Sequence, residues 1–81
     1  MQNYQQFIIK ELELRAPGAH VDPRHVEGYI RLAFSDPSTL SEDDLREEVM
    51  IALICISDEI KEYGPKKAKE RSEYLAKSFQ L

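Results

Sequence analysis

The sequence predicts an all-α fold: a compact bundle of four helices, at about 3-15, 23-34, 42-63 and 66-79, with the third at its centre. Three observations predict it. Apolar residues recur at the i, i+3, i+4, i+7 spacing of a helix in four separate segments. Asp22-Pro23 and Ser41 supply N-terminal caps to two of them. Pro17-Gly18, Asp36-Pro37 and Gly64-Pro65 punctuate the joints.

In the first segment the stripe runs Tyr4, Phe7, Ile8, Glu11, Leu12, Arg15, with Ile9 and Leu14 widening it to either side. Pro17 ends the helix, because a residue before proline avoids the α region. The second helix opens on Asp22, whose carboxylate can accept from the free amides of the first turn, and Pro23, which lacks only a donor that would go unused. Val21 and Val26 stand at the spacing of a hydrophobic staple. The stripe continues through Val26, Tyr29, Ile30, Ala33 and Phe34. Gly28 inside it costs about 1 kcal/mol relative to alanine, and a close approach by another backbone is the expected reason for it.

Asp36-Pro37-Ser38-Thr39 is a turn by composition. Ser41 then caps the third helix, Asp44 completes an acidic capping box, and Leu40 with Leu45 makes a second staple. Glu42, Asp43 and Asp44 sit at the positive end of the helix dipole. The stripe Leu45, Val49, Ala52, Leu53, Ile56, Ile60, Tyr63 carries this helix to Gly64-Pro65. The fourth segment puts Ala68, Ser72, Leu75, Ala76 and Phe79 on one face and its charges mainly elsewhere.

At 81 residues the chain makes a single helical domain, 1-81, with no room for a deep cofactor cleft. Its 42% apolar content and mean hydropathy of -0.50 argue for a folded rather than a disordered chain. A domain this short is marginally stable alone, so pairing with a second copy would help it. The first six residues lack the basic stretch of a secretory signal, and the longest apolar run, Val49 to Ile56, falls far short of the roughly 20 residues of a membrane span. Cys55 has no second cysteine to pair with. A cytoplasmic protein that does not enter membranes is expected.

The net charge of -4 is unevenly placed. Residues 36–63 hold nine acids against Arg46 and Lys61, and residues 64–81 hold five bases against Glu70 and Glu73. The middle of the chain should repel nucleic acid, while the tail could meet an anion.

The stretch Val21-Asp22-Pro23-Arg24-His25-Val26-Glu27-Gly28-Tyr29-Ile30-Arg31-Leu32 and the closing Leu75-Ala76-Lys77-Ser78-Phe79 resemble segments of small uncharacterised bacterial proteins often carried on mobile elements. The resemblance implies a bacterial, phage, plasmid or cassette origin. It brings no activity and no functional residue with it.

Candidates for chemistry are few. His20, Asp22 and His25 have metal-like spacing, but Asp22 already caps a helix and His25 lies in its first turn, so no metal and no cofactor are expected. Cys55 sits in an apolar run that would keep a thiol protonated and inert; it reads as a packed core or interface residue. Asp43, Asp44, Glu47 and Glu48 form the densest carboxylate group. Without burial to split their pKa values they are no acid–base pair. They read either as a solvated face or as a docking surface for a basic protein partner. No phosphate loop or catalytic triad is present, and catalysis is not expected.

The two capped helices also suggest a helix-turn-helix. The joint from Ser35 to Ser41 is too long for one, however, and Glu42, Asp43 and Asp44 would face phosphates. A nucleic-acid regulator would instead use Arg24, Arg31, Lys66, Lys67, Lys69 and Arg71.

The most informative feature is that residues 49–56 are apolar on every side, the pattern of a helix buried all round. Either the three short neighbours cover it, or a homodimer does, through Met50 and Ile54 together with Ile9 or Leu14. The expectation is therefore a non-catalytic interaction module docking a partner through the acidic surface, with nucleic-acid binding as the alternative.

Overall fold

The computed structural model describes residues 3–19 and 21–81. Among the described residues four helices follow one another, α1 (Tyr4–Arg15), α2 (Pro23–Ala33), α3 (Glu42–Tyr63) and α4 (Pro65–Phe79), with a 3₁₀ turn at Pro37–Thr39. The described residues contain no strand. The all-α bundle expected from the periodicity is what forms.

The punctuation works as its chemistry requires. Asp22 accepts a hydrogen bond from the Arg24 amide at 2.9 Å, and Pro23 opens α2. Ser41 Oγ accepts from the Asp44 amide at 3.2 Å and starts α3. Asp36 accepts from both the amide and the hydroxyl of Ser38, which turns the intervening loop into the 3₁₀ turn. Gly64, at φ 89°, closes α3 and opens α4 at once, a backbone conformation that L side chains rarely adopt. Because Pro65 takes the first position of α4, that helix starts one residue earlier than the periodicity alone suggests. Phe34 is extended and ends α2 one residue early.

The core joins Tyr4, Ile8 and Leu12 of α1, Val26 and Ile30 of α2, and Leu45, Val49, Ala52 and Ile56 of α3. From α4, Ala68, Ser72, Leu75 and Ala76 are buried. Both α2 and α3 touch all three other helices, and α2 packs most closely on α4. Gly28 is the reason: a Cβ added there would stand 2.7 Å from Leu75 Cβ, so only glycine lets the two helices come this near. The close approach expected at Gly28 is present.

Of the two covers expected for residues 49–56, the three neighbouring helices alone do not supply one: the segment is not buried all round within the chain. Met50 is 39% exposed, Ile51 46% and Ile54 59%, and Cys55 is exposed as well, not packed in the core. The reason is shape. The 22-residue α3 is about 33 Å long at 1.5 Å per residue, and the molecule measures 33 × 27 × 16 Å. A thickness of 16 Å holds two helix layers at a spacing of about 8–10 Å and no third. The longest helix therefore lies along one side of a flat bundle. Its inner face is covered by α1, α2 and α4, and its outer face is left bare.

Candidate functional site

The outer face of α3 is an apolar patch between charged ends. At 100° per residue, Met50, Ile51, Ile54 and Cys55 share an arc opposite the buried line of Leu45, Val49, Ala52 and Ile56. Asp43, Asp44 and Glu47 are exposed one to two turns toward the N-terminus on the same arc, and Asp58, Lys61 and Glu62 are exposed toward the C-terminus. Beside the patch a depression of about 510 Å³ runs between α3 and the α1–α2 connection. Ala19, Val21, Met50, Leu53, Ile54 and Ile60 give it a largely apolar wall.

The four carboxylates singled out in the sequence do not act as one group. Asp43 is paired with Arg46 at 3.0 Å, and Arg46 also reaches Glu42 and the buried Glu11, both at 3.2 Å. The guanidinium lies 5.7 Å from the ring centre of Phe7. One arginine thus offsets part of the negative charge at the head of α3. Glu48 is half-buried and turns toward α2, beside Tyr29 and Ile51. Asp44 and Glu47 remain as exposed carboxylates next to the apolar patch.

Of the residues suggested for self-association, the structure brings Met50 and Ile54 together and separates Ile9 from Leu14. Five residues apart on a helix, the last two lie about 140° from each other. Ile9 is half-buried against the α1–α2 connection with Pro17, Val21 and Pro23. Leu14 is 76% exposed and shares its flank of α1 with Phe7, the side that meets Arg46 of α3. Cys55, read from the sequence as a core or interface residue, belongs to the patch, and so does Ile51, which was not singled out because a helix apolar on all sides gives no clue to which side stays bare.

The basic residues are divided. Arg24 is tied to the Asp22 carboxylate at 3.0 Å, and Arg31 donates to Glu27 at 3.1 Å and to Tyr4 Oη at 2.5 Å. Lys66, Lys67, Lys69 and Arg71 are exposed on α4, where the Arg71 guanidinium lies 5.8 Å from the Tyr74 ring.

His20 lies outside the described residues, and among the described residues no group of three or more His, Cys, Asp or Glu side chains is placed to hold a metal. His25 has a different setting, which spacing did not reveal. It is buried, stacks on Tyr29 with ring centres 5.3 Å apart, and turns Nε2 toward Glu59 Oε1 at 3.7 Å. Neither atom of that pair has a hydrogen-bond partner. Tyr29 donates its hydroxyl to the other Glu59 oxygen, and burial with that carboxylate pushes the phenol up to about 12. Burial also holds the His25 imidazole below its ordinary pKa, against the opposing pull of Glu59 and Asp22. A second buried carboxylate, Glu27, accepts from Tyr4 and Arg31. The sign of this in the sequence was the i, i+4 pairing of Glu27 and Arg31.

No family model matches the chain, and neither the curated proteins nor the solved structures give a significant match. No helix among the described residues is long and apolar enough to cross a membrane. By fold and site, the described residues form a small four-helix domain with an apolar patch bare on the outer face of α3.

Proposed function

We propose that this chain is a non-catalytic recognition module, working in the cytoplasm, that binds a protein partner through the outer face of α3. The observation that carries the reading is the uncovered patch of Met50, Ile51, Ile54 and Cys55 on the longest helix. A small folded domain that leaves such side chains together on a rigid helix has a surface suited to being covered. Asp43 and Glu47 at one end of the patch and Lys61 at the other favour a complement with an apolar centre and charges of opposite sign at its ends. A mobile-element origin suits a module of this size that acts on other macromolecules.

Nucleic-acid binding has less support. Arg24 and Arg31 are engaged within the protein, and the bases of α4 share that helix with the exposed Glu70 and Glu73. Binding to duplex DNA that weakens steeply with salt would favour that alternative.

Affinity capture from a bacterial host, comparing wild type with Ile54→Glu and with Glu47→Lys, tests the proposal. Wild type should retain a partner that both variants lose while their far-ultraviolet circular dichroism stays the same. If the variants retain the same partners as wild type, the α3 face is not the recognition surface.

A further inference from the structure

We infer that the occupant of the α3 face is a second copy of this chain, docked antiparallel about a two-fold axis. The inference rests on the reading of α3 as the recognition face and names its partner.

The register of the exposed residues carries the inference. Asp43, Glu47, Met50, Ile54, Ser57 and Lys61 are all exposed, and they follow one another at alternating spacings of four and three. That is the spacing of a coiled-coil seam, in which each side chain enters a hole on the facing helix. The seam is chemically directional: carboxylates at its N-terminal end, apolar residues at its middle, an ammonium at its C-terminal end.

A parallel copy would set Asp43 against Asp43 and Glu47 against Glu47, and like charges facing each other oppose binding. An antiparallel copy centred on Ala52 does the reverse. Met50 then meets Ile54 of the second copy, Glu47 meets Ser57, whose hydroxyl can donate to the carboxylate, and Asp43 meets Lys61. Every pair occurs twice, as a two-fold interface requires. The same register brings Ile51 near its own mate on one flank and Leu53 near its mate on the other. The open depression beside Met50, Leu53 and Ile54 leaves room for side chains from the second copy.

Two features keep the pairing modest. Asp44 comes near Asp58 of the second copy, both exposed. A single-helix seam also buries less than the roughly 1,200–2,000 Å² of a standard stable interface. An interface below that size belongs to the weak, transient class.

Sedimentation equilibrium, from about one to several hundred micromolar protein, tests the inference. Wild type should pass from the 9.4 kDa chain to twice that mass. Ile54→Glu should remain monomeric. Asp43→Lys and Lys61→Asp should each weaken the dimer by about 10-fold or more, because each turns two attractive pairs into two repulsive ones. The double variant should regain wild-type affinity to within about 3-fold. Asp43 also pairs with Arg46 inside the chain, so thermal melts of each variant at low concentration must show a folded monomer. Exposed charge changes of this kind leave the core intact.

A wild-type monomer at every concentration overturns the second copy as occupant. So does a dimer that ignores the single charge reversals and gains nothing from the double one, the result a parallel seam would give. If the chain is monomeric yet Ile54→Glu still loses a host partner, the recognition face stands and only the second copy falls. If Ile54→Glu leaves both the dimer and partner capture intact, both readings fall.

Discussion

Gly28 and His25 are adjacent problems on α2 with opposite solutions. At Gly28 the fold removes atoms. Alanine there gains about 1 kcal/mol of helix propensity, but its Cβ would meet Leu75 Cβ at 2.7 Å, and neither atom is the free end of a flexible side chain. Overpacking of this kind costs about 1–3 kcal/mol. Gly28→Ala should therefore lower stability by about 1 kcal/mol net, read as a lower urea midpoint with an unchanged slope. A midpoint that rises would show that α2 and α4 can separate without cost.

His25 is buried with one nitrogen facing a carboxylate and unbonded. Because burial lowers its pKa in the folded chain from 6.5, the unfolded chain takes up a proton at the higher pH. Stability is then full above about 6.5 and falls as pH drops from there toward the folded value. His25→Leu should remove that upper part of the acid sensitivity. The lower part should persist, since Glu11 is held below 4.5 by Arg15 and, less strongly, by Arg46, and its contribution is lost only as pH falls through that lowered value. Chemical denaturation in steps from pH 7 to about pH 2 separates the two; an identical pH profile in the variant shows that His25 does not set the upper part.

Helices α2 and α3 are each held by a side-chain cap at the N-terminus and by one buried face. Ser41→Ala removes the acceptor for the Asp44 amide and Asp22→Ala the acceptor for the Arg24 amide, each at a cost of about 1 kcal/mol. The asymmetry of α3 gives a sharper test. Ile56 is buried and Ile54 is 59% exposed, two residues away on the same helix. Ile56→Val should cost about 1 kcal/mol, whereas Ile54→Val, measured where the chain is dilute, should change stability by less than about 0.5 kcal/mol. Equal costs would mean that the outer face of α3 is covered even in the isolated chain.

As a whole, the molecule is a flat, two-layer bundle of 81 residues, a size at which a single core rarely supplies more than a few kcal/mol. Covering the bare side of α3 adds apolar burial that the single chain cannot provide. If the second copy is the cover, the melting temperature should rise with protein concentration, because association stabilises the folded state by mass action. Ile54→Glu should melt at one temperature whatever the concentration. A wild-type melting point that stays constant over a hundredfold dilution counts against self-association.

The sequence by itself determined the helices and their ends, because both are local. Asp22-Pro23, Ser41 and Gly64-Pro65 act on the amides and carbonyls of neighbouring residues, and the periodicity of α3 and α4 identified the buried lines of Val49 and Ile56 and of Ala68, Ser72 and Leu75. It also pointed to Met50 and Ile54 as residues awaiting a cover. Only the tertiary structure decided which side of residues 49–56 stays bare, that Arg46 offsets Asp43, that Ile9 and Leu14 part company, and that His25 meets Glu59 across 34 positions of chain. Each of these depends on how helices of unequal length stack into two layers. A helix that is apolar on every side specifies that it must be covered, and the arrangement of its neighbours specifies where.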